Sequence, residues 1–315
     1  MCFRHASSWQ TGLKRAASPV MDAPVIFDRK AVKAHRTRSA KLQTSVMPIL
    51  DAAADILMDR LDDVTRHFTY ALDLGGRGIM AQRLTARGIP VLSSDLSHAM
   101  AACAPEQAVC ADEEMLPFAP HSFDLVTASL SLHWINDLPG TFSQICRILK
   151  PDGLFLASMP ILPTLRPLRQ ALDDAELALC DGISPRVSPL PTQQSCAHLL
   201  QRAGFALPVV DTEKLDLRYR SLMALLQDLR AAGETNALAL RSKTAPPRLL
   251  FPAAAAELSP NETDTFAMPL HMAILTAWAP SPTQQQPLKP GAFTHTLESV
   301  LDAAQPASPI DSKRS

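Results

Sequence analysis

The sequence predicts an α/β fold, a doubly wound and mostly parallel sheet with helical lid inserts. Three observations favour it. Residues 71–74 form an apolar stretch that ends in a glycine-rich turn, and apolar strands alternate with amphipathic helices up to residue 159. Acidic or hydroxyl residues follow the strands where they end. Such alternation is typical of parallel sheets, which bind ligands at the carboxyl ends of their strands.

The first element is the stretch A-L-D-L-G-G-R-G at residues 71–78, a strand followed by a turn into a helix. Glycine permits positive φ and close approach of the backbone to a ligand, and the helix that follows directs its N-terminus at that ligand. We therefore predict a cofactor-binding turn, formed by Gly75, Gly76 and Gly78. An ordinary glycine-rich turn is the alternative.

The class of cofactor depends on Asp73. Gly76, Gly78 and Ala81 satisfy the spacing of a dinucleotide-binding turn. A carboxylate at the end of the first strand would repel a pyrophosphate, however. It suits S-adenosylmethionine, which has no phosphate and carries an ammonium and a sulfonium group, and we predict this cofactor.

The second strand ends at Asp95, after a helix at residues 79–87 that Gly88 closes. Asp95 lies 22 residues after Asp73, near the offset of about 20 residues at which a ribose-binding acid is expected. Asp95, with Leu96 beside it, is therefore predicted to bind the cofactor. The alternative is that Asp95 caps the short helix that follows.

The third to fifth strands complete the predicted sheet. Residues 108–111 lead to Asp112 and Glu113, where an acid can accept from the amine of adenine; solvated loop charge is the alternative. Residues 123–129 form an apolar strand that ends at Ser129, a further candidate for cofactor binding. A turn at residues 150–153 precedes the strand at 154–159.

His133 and Trp134 follow the fourth strand and are the candidate catalytic residues. Methyl transfer requires alignment of the acceptor and exclusion of water, with an acid-base group only if the acceptor must lose a proton. His133 could take that proton, and Trp134 could stack against a cation. Structural roles, as a hydrogen-bonded histidine and a wall of the adenine pocket, are the alternatives.

The N-terminal region is basic. Residues 1–41 contain nine Lys or Arg against two Asp, although the net charge of the chain is −1. Such an arm could dock on an acidic partner or an anionic surface, or residues 28–42 could form a helix across the cofactor mouth. We divide this part into an extension at 1–25, disordered or mis-assigned, and basic helices at 26–66.

The remaining chain is divided into a cofactor-binding core at 67–160, a substrate lid with C-terminal strands at 161–278, and an extended Pro/Gln tail at 279–315. The lid candidates are residues 164–204 and 220–262. A long final strand is predicted at residues 266–278, and Pro269 within it predicts an edge position or a bulge.

The composition limits the classes of protein to which the chain can belong. The chain has no apolar run of about 18 residues, so no transmembrane segment is expected. Its six cysteines show no C-x-x-C pair and indicate reduced thiols of a cytoplasmic protein. We find no nucleic-acid motif and no metal site.

These motifs resemble those of the class I S-adenosylmethionine-dependent methyltransferases of the type 11 group, which have a Rossmann-like fold. Asp73 with the three glycines matches the glycine-rich motif, Asp95 the ribose acid, and Asp112 with Glu113 the adenine loop. The family motif D-x-G-x-G-x-G is one residue longer than the sequence found here.

A closer resemblance extends from residue 26 to about residue 301. I-F-D-R-K at 26–30, S-L-H-W-I-N-D-L-P at 131–139 and L-L-Q-R-A-G-F at 199–205 are similar to the complex I assembly factor of the arginine-hydroxylase type. That family resembles the malonyl carrier-protein methyltransferases. The resemblance implies a small-molecule or protein side-chain acceptor, including a respiratory complex I subunit, and a mitochondrial matrix location in a eukaryote.

Three functions follow as hypotheses. The first is methyl transfer from S-adenosylmethionine to an unknown acceptor. The second is arginine hydroxylation in the assembly of complex I, which the resemblance implies. The third is a non-catalytic cofactor-binding scaffold, because the shortened glycine motif could alter the cofactor geometry.

Overall fold

The computed structural model describes residues 25–105, 107–180, 182–258 and 265–284. The chain divides into two units, Met1–Pro280 and Ser281–Ser315. All helices and strands named below belong to the first unit. In the second, the described residues 281–284 contain a turn in which the Ser281 and Thr283 hydroxyls are hydrogen-bonded. The predicted extension before residue 25 and most of the predicted tail lie outside the described residues.

Seven strands form the main sheet, in the order β3-β2-β1-β4-β5-β9-β6. The first five strands in the chain are parallel, whereas β9 is antiparallel to both of its neighbours. The predicted fold class is confirmed. The strands are β1 (Ala71–Leu74), β2 (Val91–Asp95), β3 (Gln107–Cys110), β4 (Phe123–Ser129), β5 (Leu149–Pro160), β6 (Ala206–Leu215), β7 (Arg218–Tyr219), β8 (Phe266–Ala267) and β9 (Leu270–Trp278).

Helices cover both faces of the sheet. They are α1 (Arg29–Ser39), α2 (Met47–Asp62), α3 (Ile79–Ala86), α4 (His98–Ala101), α5 (Leu138–Ile148), α6 (Arg166–Leu179), α7 (Gln193–Arg202), α8 (Leu222–Ala232) and α9 (Leu250–Leu258), with 3₁₀ turns at Gln43–Val46 and Leu132–Trp134.

Alternate residues of the buried strands face opposite helix layers, as the pleat of a strand requires. In β1, Ala71 packs with the apolar side of α2, which includes Leu57. Its neighbour Leu72 packs with α5, which contributes Phe142 and Ile145. Both layers exclude water. Each methylene that they bury stabilises the folded state by about 0.8 kcal/mol. The sheet is thus a rigid support for the loops at its carboxyl edge.

A third apolar cluster lies in the region predicted to be the lid. Its core contains Leu168 and Leu172 of α6, Leu225 of α8 and Leu250 at the start of α9, beside the β7–β8 pair. The lid segment predicted at residues 164–204 extends too far, because α7 packs on the sheet through Cys196 and Leu200. Below, the word lid denotes α6, α8, α9 and the short two-stranded sheet, the elements that share this cluster.

The strand predicted at residues 266–278 divides at Met268 and Pro269. Its first part is β8, which pairs with β7, and its second part is β9. The prediction of an edge position is wrong, since β9 lies between β5 and β6. Proline ends the ladder here because it lacks an N–H to donate, and the chain then turns from the lid into the sheet.

In the parts of the chain that the structure describes, no helix has the length and hydropathy needed to cross a bilayer.

Candidate cofactor and acceptor site

The turn after β1 uses left-handed backbone at three positions. Gly75, Arg77 and Gly78 have φ of 66°, 57° and 81°. The Gly75 N–H donates to the Ser94 carbonyl (2.7 Å), which joins the turn to the end of β2. Arg77 therefore takes a backbone conformation that glycine adopts more easily. The shortened motif still forms a tight turn from strand to helix.

Asp73 lies beneath this turn, fully buried. A Cβ on Gly76 would stand 2.0 Å from Asp73 Oδ1, so only glycine fits above the carboxylate. Thr127 Oγ1 donates to Oδ1 (3.3 Å), while Oδ2 has no hydrogen-bond partner among the described residues. Burial raises the pKa of Asp73 to about 7. A buried carboxylate oxygen without a partner is suited to a cationic ligand.

Asp95, at the end of β2, is held by α1. Arg36 NH2 lies 3.0 Å from Asp95 Oδ2 and 3.0 Å from the Gly75 carbonyl, and the Arg36 side chain is only 4% exposed. The backbone N–H of Ser97 also donates to Asp95 Oδ1 (2.8 Å). The side chain that caps α4 is Ser97, not Asp95, so the capping alternative is wrong.

Arg29, also on α1, occupies the predicted adenine loop. Its guanidinium pairs with Asp112 and with Glu113, and donates from NH1 to the Trp134 carbonyl (3.1 Å). Burial raises the pKa of Glu113, although the arginines on α1 act in the opposite direction. Both acids are thus ion-paired, Glu113 in a buried position and Asp112 with 36% of its side chain still exposed.

The two remaining residues predicted to bind the cofactor, Leu96 and Ser129, differ in their surroundings. Leu96 packs with Phe27, Val32 and Trp134 in a small apolar cluster beneath α1. Ser129 is buried at the end of β4, where its hydroxyl lies 3.5 Å from that of Ser158. Ser129 lines neither of the two cavities described below.

A small cavity at the glycine turn measures about 10 Å³. Asp73, Gly76, Gly78 and Asp95 line it, together with Arg77 and the hydroxyl-bearing Ser93 and Ser94. This volume admits about one water molecule. The guanidinium of Arg36 fills the space over Gly75, since a Cβ there would lie 2.6 Å from Arg36 NH2.

His133 and Trp134 converge on Glu234, a residue that follows α8. Glu234 Oε2 lies 2.6 Å from His133 Nε2 and accepts from Trp134 Nε1 (2.7 Å), while Oε1 accepts from Arg77 NH2 (2.9 Å). Burial alone would raise the pKa of Glu234, but His133, Arg77 and Trp134 lower it to about 2. Glu234 is therefore ionised, and its carboxylate binds a member of the glycine turn and both catalytic candidates.

The chain around Glu234 also holds α1. The Ala231 carbonyl accepts from Ser39 Oγ (2.5 Å), and the Ala237 carbonyl accepts from the Asp28 N–H (2.8 Å). Gly233 ends α8 with φ of 82° and lies against Ser39. One segment, residues 231–239, thus contacts α1 and positions Glu234.

A large cavity of about 470 Å³ lies beneath the lid. Arg77, His133, Trp134 and Glu234 border it at one end, and Leu168 and Phe251 are among the lid residues that line it. Arg77 lines both cavities, so the two sites adjoin.

The sequence did not identify four residues of this site: Arg29, Arg36, Arg77 and Glu234. The basic character of residues 1–41 was the signal for the first two. Nothing next to Glu234 in the sequence marks it as a site residue, because its partners lie 100 to 157 residues away. Among the described residues, no three His, Cys, Asp or Glu side chains are grouped so that they could hold a metal ion.

Comparison with known proteins agrees with this geometry. Residues 72–157 match the methyltransferase domain family. The mitochondrial arginine-hydroxylase NDUFAF5 of Danio rerio is 35% identical over 278 residues, which cover 85% of this chain and 87% of that protein. The malonyl-[acyl-carrier protein] O-methyltransferase of Xylella fastidiosa is 33% identical over 256 residues, covering 77% and 83%.

A Bacillus halodurans protein described as a methyltransferase has the same fold, with a TM-score of 0.52 at 14% identity over 71% of this chain and 99% of that one. The resemblance predicted from the sequence is confirmed: the chain belongs to the family of the arginine-hydroxylase NDUFAF5 and the related malonyl-carrier O-methyltransferases, and has their S-adenosylmethionine-dependent methyltransferase fold.

Proposed function

We propose that the protein binds S-adenosylmethionine at the glycine turn and transfers its methyl group to an acceptor in the large cavity. The observation that carries the proposal is the position of Arg77, which lines both the cavity at Asp73 and Asp95 and the cavity beneath the lid. Direct transfer requires the sulfonium methyl and the acceptor atom to approach to about 3–3.5 Å, so the cofactor and the acceptor must meet beside Arg77.

The residues at the turn fit this cofactor. Asp73 Oδ2, buried and without a partner among the described residues, suits the ammonium group. Asp95 suits the ribose hydroxyls, and Asp112, Glu113 and Leu96 suit adenine. When bound, the cofactor supplies a methyl group on a sulfonium, an activated form that needs no metal.

Cofactor binding requires α1 to move. Arg36 is ion-paired with Asp95, and Arg29 is ion-paired with Asp112 and Glu113. Each of these acids must exchange an arginine for a ligand group. The exchange replaces one set of hydrogen bonds by another, so its net free energy is small compared with the strength of each bond.

At the acceptor end, Glu234 determines the form of His133. Because the ionised Glu234 accepts from Nε2, a neutral His133 carries its hydrogen there and its lone pair on Nδ1. Nδ1 is buried and has no hydrogen-bond partner among the described residues. His133 is therefore prepared to take a proton, and Trp134 excludes water beside it.

The name of the Danio rerio relative favours a second candidate, hydroxylation of an arginine. The mass of the product separates the candidates, because a methyl group adds about 14 Da and an oxygen about 16 Da. The purified protein is incubated with methyl-labelled S-adenosylmethionine and a cell extract, and modified species are identified by mass. Label in a product that is about 14 Da heavier supports methyl transfer.

The first experiment is calorimetric titration with S-adenosylmethionine. We expect micromolar binding by the wild type, a loss of at least about tenfold in Asp95→Ala, and no change in Asp59→Ala, which removes an exposed carboxylate from α2. If neither the wild type nor Arg36→Ala binds the cofactor, the proposed function is wrong.

A further inference from the structure

The walls of the large cavity indicate the kind of molecule it holds. Leu168 and Leu172 of α6, Leu225 of α8, Phe251 of α9 and Met268 all line it. A volume of about 470 Å³ is typical of sites for small organic molecules. Aliphatic walls of this extent stabilise a ligand chiefly through burial of its apolar surface.

The polar end of the cavity is already neutralised. Arg77 and Glu234 form an ion pair, with 2% and 19% of their side chains exposed. Arg77 NH1 donates to the Leu130 carbonyl (3.1 Å), and NH2 donates to Glu234 (2.9 Å). His133 and Trp134 are bonded to the other oxygen of Glu234. The charges of Arg77 and Glu234 therefore compensate each other.

The other charged residues that border the cavity are either ion-paired or in contact with solvent. Arg186 pairs with Glu176 (2.6 Å). Burial, the charge of Asp228 and a hydrogen bond with it raise the pKa of Tyr219 to about 12, so Asp228 has a neutral partner. Arg230 is exposed to solvent. Asp228 is itself partly exposed. A charged ligand group would therefore lose its hydration without gaining a fully buried counter-charge.

We propose that this cavity binds an uncharged, lipid-like small molecule, with an aliphatic body against the lid and one polar end at the Glu234 cluster. The aliphatic body gains affinity from burial, and the polar end needs only hydrogen bonds. That this molecule is the methyl acceptor rests on the proposed function; that it binds here does not.

The test uses straight-chain alcohols as probes, titrated into the full-length protein without cofactor. Hexanol, octanol and decanol should bind progressively more tightly, by about fourfold for each buried methylene. Decanoate and decylamine, with the same chain and a charged end, should bind at least about tenfold more weakly than decanol.

Two matched variants locate the probe. Met223 lines the cavity but is 56% exposed, so Met223→Asp introduces a charge without emptying the core. Leu240, 84% exposed and not part of the lining, gives the control Leu240→Asp. We expect decanol binding to fall at least about tenfold in the first variant and to remain unchanged in the second.

Affinity independent of chain length, equal binding of decanoate or decylamine, or equal binding by Met223→Asp would each overturn the proposal. Cofactor titration is a separate measurement. Alcohol binding without cofactor binding would support this inference and contradict the proposed function. Cofactor binding without alcohol binding would support the proposed function and contradict this inference.

Discussion

The guanidinium of Arg36 and the carboxylate of Asp95 form a buried ion pair, with NH2 3.0 Å from Oδ2 and exposures of 4% and 3%. The pair joins the N-terminal helix α1 to the end of β2, at the position predicted to bind ribose. Breaking a buried pair by removal of one partner costs about 3–5 kcal/mol, because the other charge stays desolvated. A ligand that hydrogen-bonds to Asp95 competes with this contact.

Arg36→Ala is expected to raise the affinity for S-adenosylmethionine by about tenfold, since Asp95 is then free to bind ribose. Calorimetry measures the change. Lys33→Ala, which removes an exposed charge from the same helix, is the control and should have no effect. If Arg36→Ala binds more weakly, Arg36 is a ligand of the cofactor and not its competitor. Thermal unfolding of both variants confirms that they fold.

The stability of the protein should fall as pH rises from about 4 to about 7, through Asp73. Its folded-state pKa is raised by burial to about 7, so the folded protein keeps a proton that the unfolded chain releases above about pH 4. The unfolded state then binds fewer protons, and unfolding becomes easier by up to about 4 kcal/mol. Urea unfolding at pH 5 and pH 8 should show a smaller difference for Asp73→Asn than for the wild type.

Glu234→Gln should destabilise the fold and disturb the acceptor site. The variant leaves Arg77, only 2% exposed, without a counter-charge, which is expected to cost about 3–5 kcal/mol. Because the pKa of Glu234 is lowered to about 2, its contribution is complete above about pH 4.5 and is lost as pH falls towards 2. Denaturant titrations across this range measure both effects. A variant as stable as the wild type would show that Arg77 needs no charged partner.

Gly76→Ala should abolish cofactor binding. Its Cβ would stand 2.0 Å from Asp73 Oδ1, so the turn or the carboxylate must shift. Gly182→Ala, at a position with no atom within 4 Å of an added Cβ, is the control. Cofactor titrations of the two variants make the comparison, and unchanged binding by Gly76→Ala would show that the turn is adaptable.

The five parallel strands could be predicted because most of them are short apolar runs followed within two residues by a glycine, acidic or hydroxyl residue. Strand β4 was predicted with its observed ends, Phe123 and Ser129. Pro269 was misassigned because the sequence pattern does not reveal that the lid sheet and the main sheet meet there. The 3₁₀ turn at residues 132–134 was also not visible in the pattern.

The site was predicted in part. Asp73, Asp95 and the glycines follow from local motif spacing, and all of them except Gly75 line one cavity. Their present partners could not be predicted, because Arg36 and Asp95 are 59 residues apart and His133 and Glu234 are 101 apart. Contacts over such separations depend on how α1 and α8 pack, which residue periodicity does not encode.

Residues 231–239 contact both α1, which covers the glycine turn, and His133 at the large cavity. The segment accepts hydrogen bonds from Ser39 of α1 and from Asp28, which caps that helix, and between these contacts Glu234 reaches His133. A displacement of α1 is therefore expected to shift the Glu234 carboxylate that contacts His133. Heterotropic linkage follows: any factor by which an occupant of the lid cavity changes cofactor affinity is the factor by which the cofactor changes affinity for that occupant.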